Sequence, residues 1–161
     1  MSREKIKKHS AIVFAVCEGT ILMQIMQHQG GDVVDVFGSF VAEGEDAQEL
    51  INRKEIEKIG EGFDAVPFGN IVNYIEKPEE SVELTTDVFK ITMTGKQKEE
   101  YRLPDTYLWA NVEFIRTDPR IRNGDRIYLE KALEEKELDL VLHEEQYEKW
   151  IDAKLISWED K

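Results

Sequence analysis

The run Ser10-Ala-Ile-Val-Phe-Ala-Val16 constrains this chain more than any other segment. Every position after the serine is apolar and several are β-branched, so it reads as a strand buried on both faces. Glu18-Gly19 turns the chain, and Thr20 to Met26 is the expected hairpin partner. A strand with no wet face needs neighbours beside it and covering layers above and below. The 161 residues are 41% hydrophobic and include 7 Phe, 5 Tyr and 3 Trp, enough to supply those layers within one domain. Cys17 is the lone cysteine, which excludes a disulfide framework and reads as a small core residue.

Further elements follow from the same patterning. Val33 to Phe40 reads as a third strand broken by Gly38, and Gly44-Glu45-Asp46 opens a helix from Ala47 to Ile59 with acids in its first turn. Val66 to Ile75, Val82 to Thr94 and Tyr107 to Ile115 read as strands. Ile127 to Leu138 reads as a helix, and Tyr147, Trp150, Ile151 and Leu155 recur at the spacing of a last amphipathic helix. The expectation is one domain over residues 1–161, with a basic tail at residues 1–9 and a mixed sheet covered by helices.

Charge narrows the partners. A net charge of −13 argues against binding duplex DNA by neutralising its phosphates. Residues 1–8 carry +3, whereas Glu130 to Lys161 hold 11 acids and 5 bases, read as a solvated helical face. A small anion would need a local cluster of cations or a metal. No apolar run approaches the roughly 20 residues of a membrane helix, and the N-terminus lacks a secretory cleavage pattern, so a cytoplasmic protein is expected. Neither Gly-rich phosphate motif nor a Gly-x-Ser-x-Gly elbow occurs. His9, His28 and His143 are far apart and read as surface or edge residues rather than zinc ligands.

The segment Phe37 to Gly60 carries the functional information. It is a strand, a loop containing Gly38 and Gly44, then the helix. At about 100° per residue, Ala47, Leu50, Ile51, Lys54 and Lys58 share one stripe, with Glu57 at its edge. The stripe begins apolar and ends charged. It therefore either points those charges toward a cleft or emerges into solvent with Lys54 and Lys58 as ordinary surface groups.

Here the sequence resembles the Nudix superfamily. The family box runs Gly, five residues, Glu, seven residues, Arg-Glu-hydrophobic, one residue, Glu-Glu, one residue, Gly. Glu45, the residues Asp46 to Asn52, Arg53, Glu57 and Gly60 fall at that spacing. The departures are Ser39 at the opening glycine and Lys54 and Lys58 at two of the acids. Shifting the register by one, to Lys54-Glu55-Ile56, does not restore the acidic cluster. The resemblance implies an α/β/α sandwich with a mixed sheet and a nucleotide or other phosphoanhydride as ligand. Active members hold a divalent ion with these carboxylates, and hard cations need several oxygens converging on one point. Lys54, Glu57 and Lys58 instead sum to +1.

Two consequences compete. In one, metal-dependent hydrolysis is weak or lost: Lys54 and Lys58 contact phosphate, Arg53 supports the loop through Glu45, and Glu57 and Arg53 mark the old catalytic positions. In the other, the chain hydrolyses a nucleoside diphosphate derivative with Mg²⁺ or Mn²⁺ held by Glu45 and Glu57 and by acids from elsewhere, such as Glu76, Glu79, Glu80 or Glu113. A third reading takes the acidic surface as a docking site for a basic protein. Phe68, Tyr74, Phe89, Tyr107 and Trp109 are expected in the core, Lys96 and Lys98 at a hairpin tip, and Arg116, Arg120, Arg122 and Arg126 on an exposed loop.

Overall fold

The Ser10–Val16 run lies at the centre of a computed structural model that describes residues 4–28 and 31–161. It belongs to β1 (Glu4–Cys17), which turns at Glu18-Gly19 into β2 (Thr20–His28). Glu18 and Gly19 both have positive φ, +45° and +78°, so the glycine takes the more strongly left-handed position. Residues 4–9, read above as a tail, are the first part of β1, paired in parallel with Glu80 to Thr85; residues 1–3 of that tail lie outside the described residues. The expected third strand divides at Val36 rather than Gly38, into β3 (Gly31–Asp35) and β4 (Phe37–Phe40). Beyond the helical segment come β5 (Val66–Glu76), β6 (Glu80–Thr92), β7 (Tyr107–Ala110), β8 (Leu138–Glu145) and β9 (Lys154–Asp160).

All nine strands join one mixed sheet, in the order β3-β2-β1-β6-β5-β8-β9, with β4 pairing β1 and β7 pairing β2. The alternation of β1 assigns its side chains to two cores. Phe14 and Val16 face one, while Ala11, Val13, Ala15 and Cys17 face the other. A strand interior to both cores must be apolar throughout, which is why the run never alternates. Burial of Cys17 raises its thiol pKa above the ordinary value, as expected of a core thiol.

Helices cover both faces. On one side α1 (Ala47–Leu50) continues through a π-helical turn, Ile51–Glu55, into α2 (Ile56–Ile59), burying Leu50, Ile51, Ile56 and Ile59. On the other side α4 (Val112–Thr117) and α5 (Arg126–Leu133) pack over Phe14, Ile71 and Leu140. Asp46 caps α1 by accepting from the Glu49 N–H at 3.0 Å.

Three expectations are corrected. Tyr107 to Ile115 splits, because Asn111 caps α4 after β7 has ended. Lys96 and Lys98 lie not at a hairpin tip but in α3 (Gly95–Glu100), which Thr94 starts with a reciprocal capping box. The acidic C-terminal segment is not a helical face: after α5 it forms β8, a short 3-10 turn at Trp150–Asp152 and β9. Tyr147, Trp150, Ile151 and Leu155 therefore share no helix. β8 pairs in parallel with β5, and Gly69 is required where the two meet. At φ +137°, a Cβ there would stand 1.9 Å from the Leu138 carbonyl oxygen.

Candidate functional site

The π-helical turn sets which side chains of the box segment reach the interior. The Ile56 N–H donates to the Ile51 carbonyl, five residues back, so one extra residue enters the turn. The phase slips by about 100° relative to a plain α-helix. Lys54, expected on the inward stripe, is exposed, and Glu55, expected to point elsewhere, is completely buried. Glu55 Oε1 accepts from Ser39 Oγ at 2.5 Å. Its Oε2 makes no hydrogen bond, although Lys58 Nζ lies 3.4 Å away as an ion partner out of hydrogen-bond alignment. Lys58 is also exposed, with 43% of its side chain accessible, but it lines a cleft that Lys54 does not line.

Two tyrosines fix the end of α2. Tyr107 Oη donates to the Lys58 carbonyl at 2.9 Å, and Tyr101 Oη to the Ile59 carbonyl at 2.5 Å. Both satisfy carbonyls that a helix end leaves open. Partial burial raises both phenol pKa values, with the Glu55 carboxylate adding to the effect at Tyr107. Of the aromatics expected in the core, Phe68 and Phe89 are buried, Tyr107 and Trp109 are half-buried, and Tyr74 is exposed and stacks on His143.

Arg53 has the geometry expected of it, with Nη2 donating to Glu45 Oε2 at 3.0 Å while Glu45 Oε1 accepts from the Ala42 N–H. This pair ties the loop to the helix and engages both oxygens of Glu45. Glu57 is exposed. Among the described residues no three His, Cys, Asp or Glu side chains converge to hold a metal ion. Hard divalent ions require such convergence, so the residues at the box do not fit a bound Mg²⁺ or Mn²⁺. Glu76, Glu79, Glu80 and Glu113 do not line the cleft; Ser81 Oγ donates to Glu76, and Lys77 pairs with Glu80.

The cleft itself has a volume of about 380 Å³. Its floor is the sheet, with Ile12 from β1, Ile71, Asn73 and Ile75 from β5, and Leu84 and Thr86 from β6. One end carries Lys58, Ser39 and Phe40; another carries Asp35, Asp125, Arg122, Tyr128, His28 and Trp150.

The latter group overturns the expectation of an exposed arginine loop. Arg122 is only 3% exposed. Its guanidinium donates from Nη1 to Asp125 at 2.9 Å and to Glu144 Oε1 at 3.0 Å, from Nη2 to Glu144 Oε2 at 2.8 Å, and from Nε to the Trp150 carbonyl at 2.9 Å. Burial works against the charge of Arg122, but Asp125 and Glu144 outweigh it and raise the guanidinium pKa above its ordinary value. Burial pushes the Asp125 carboxyl pKa up despite Arg122. Burial, with the nearby Asp125 charge, carries Asp35 from 3.8 to about 7. Arg126 also turns inward, donating to the carbonyls of Ile115, Asp118 and Ile121. Arg116 and Arg120 stay nearer the surface, paired with Glu130 and Asp118. The sequence held one signal for this arrangement, arginines beside Asp118 and Asp125, but Glu144 lies too far along the chain to be read as their partner.

The mixed sheet between helical layers, with a loop–helix segment at a cleft, is a Nudix-like fold by its likeness to solved structures. No protein-family model matches the chain, and no curated protein sequence does. Solved structures carry the likeness. A mutator MutT protein from Bacillus halodurans superposes with a TM-score of 0.64 at 16% identity, over 94% of this chain and 96% of that one. A MutT protein from Methanosarcina mazei gives 0.59 at 20% identity, over 83% and 98%. A structure described as an ADP compounds hydrolase gives 0.51 at 15% identity, over 80% and 71%. No helix among the described residues is long and apolar enough to cross a membrane.

Proposed function

We propose that this protein binds a nucleotide or related phosphoanhydride in the cleft, with the Lys58 ammonium meeting a phosphate, and hydrolyses it weakly or not at all. One observation carries this reading. Lys58, at a box position where the family places an acid, projects to the cleft beside the buried Glu55 carboxylate. A fixed ammonium there attracts an anion and repels a divalent cation. Arg53 and Glu45 brace the loop, Ser39 and Tyr107 hold Glu55 and the α2 end in place, and Lys54 is left at the surface.

Calorimetric titration with nucleoside diphosphates and triphosphates, with and without EDTA, tests it. Affinity should survive the chelator and fall about tenfold in Lys58→Ala, the size of one charge-assisted contact. Product assays over the same panel with Mg²⁺ and Mn²⁺ should show little turnover. Affinity that disappears with EDTA, or robust turnover, would overturn the proposal and favour a metal-dependent hydrolase.

A further inference from the structure

The acidic end of the cleft has chemistry that the Lys58 reading does not use. Three carboxyls, Asp35, Asp125 and Glu144, surround a single guanidinium, and its four hydrogen bonds go to Asp125, Glu144 and the Trp150 carbonyl. Asp35 receives none of them; its one hydrogen bond among the described residues is from the backbone N–H of Val36, at 2.8 Å. It nevertheless lines the cavity and lies close enough to Asp125 for the two charges to interact. An acidic wall whose neighbouring donors are already engaged offers acceptors to whatever enters.

The floor adds an independent observation. Asn73 is 6% exposed and lines the same cavity, yet its side-chain amide makes no hydrogen bond to any described residue. Its neighbours along the strand and across it, Ile71, Ile75 and Leu84, are apolar. The amide is thus free to offer a donor and an acceptor to whatever enters the cavity. Apolar side chains suited to a flat ring, an amide with both donor and acceptor, and an acceptor-rich wall therefore meet in one cavity.

We propose that this end of the cleft recognises an amino-substituted heterocycle, with Asp35 accepting from the exocyclic amine and Asn73 meeting the ring edge. Once Asp35 is ionised, above its pKa of about 7, an oxo-substituted ring of the same shape would set a carbonyl oxygen against the carboxylate and leave acceptors facing acceptors. The inference deepens the reading of this cleft as the ligand site but does not depend on phosphate contact with Lys58. The aromatic pair of His28 and Trp150, stacked at 5.6 Å, bounds the same end.

Paired titrations of the full chain at about pH 8.5, where Asp35 is ionised, test it, read by ligand-observed and protein-observed NMR. Adenosine is compared with inosine, cytidine with uridine, and then the corresponding 5′-diphosphates. The amino member of each pair should bind at least about tenfold more tightly, the scale of a hydrogen bond to a charged group. Asp35→Asn, whose amide presents a donor as well as an acceptor, should bring the ratio close to one, and Asn73→Ala should weaken both members of a pair. Equal affinities in the wild-type pairs, an amino preference that persists in Asp35→Asn, or no binding of any member would overturn the proposal; the wild-type comparison decides even where a variant fails to fold. Diphosphates that bind without amino discrimination would sink this inference and leave the phosphate reading standing. Nucleosides that discriminate while diphosphates add nothing would do the reverse.

Discussion

Gly124 is the residue on which the buried arginine depends, and for a reason unrelated to backbone freedom. A Cβ at this position would stand 1.7 Å from Glu144 Oε1 and 2.8 Å from Arg122 Nη1. Gly124→Ala should force the two-pronged Arg122–Glu144 contact apart and leave buried charges unpaired, costing about 3–5 kcal/mol in denaturant unfolding. A loss under about 1 kcal/mol would show that the network relaxes around the methyl group. Asp35 gives a pH prediction. Its folded pKa is raised from 3.8 to about 7, so the folded state holds a proton that the unfolded chain has released. Stability from this group is complete below the unfolded value and is lost as pH climbs to about 7, after which it is flat. Asp125 is shifted in the same direction and adds to the slope. Asp35→Asn should therefore gain stability over the wild type between about pH 4 and pH 7 in urea melts, and parallel curves would contradict the shift. None of this is legible from local sequence. Arg122 and Asp125 look like loop residues, and what buries them is Glu144, brought across by the pairing of β8 with β5.

The helical segment shows how far an element can be read and where reading stops. Its acidic start and its glycine stop were visible, because a cap and a terminating glycine are local features. The π-helical turn was not, since an extra residue in a turn is decided by packing. Ile51, Ile56 and Ile59 all reach one core, and only the wider turn permits that while Glu55 meets Ser39. The slip matters for function because it separates Lys54 from Lys58, which a regular helix would align. The C-terminal strands illustrate the opposite failure. Glu, Lys and Leu favour helix locally, but β8 is an interior strand, and pairing with β5 and β9 overrides that propensity. If the tyrosine hydroxyls hold the end of α2, Tyr107→Phe should cost about 1 kcal/mol of stability and reduce nucleotide affinity without altering the fold. Unchanged affinity in calorimetry would mean that Lys58 is placed by Glu55 alone.

At the scale of the whole molecule, two cores share one sheet, and the surface around them carries a net charge of −13. Exposed ion pairs such as Lys7–Glu83 at 3.9 Å and Lys96–Glu100 at 4.0 Å sum to zero charge and contribute little, so the acidic excess stands unbalanced. Self-repulsion should dominate the salt response, and raising NaCl from about 0.02 to 0.2 M should raise Tm by a few degrees as the Debye length contracts. The buried Arg122 network lies beyond the reach of that screening and contributes nothing to the trend. Magnesium then separates general screening from a specific site. A chain whose box lacks converging acids should respond to MgCl₂ as it does to NaCl at matched ionic strength. A bound ion would add stability that grows with the logarithm of its concentration above the dissociation constant. A saturable surplus of several degrees at millimolar Mg²⁺, absent with NaCl and removed by Glu57→Gln, would mean that carboxylates assemble around the ion after all. The absence of any surplus is the outcome expected of a cleft whose cation is covalently part of the chain.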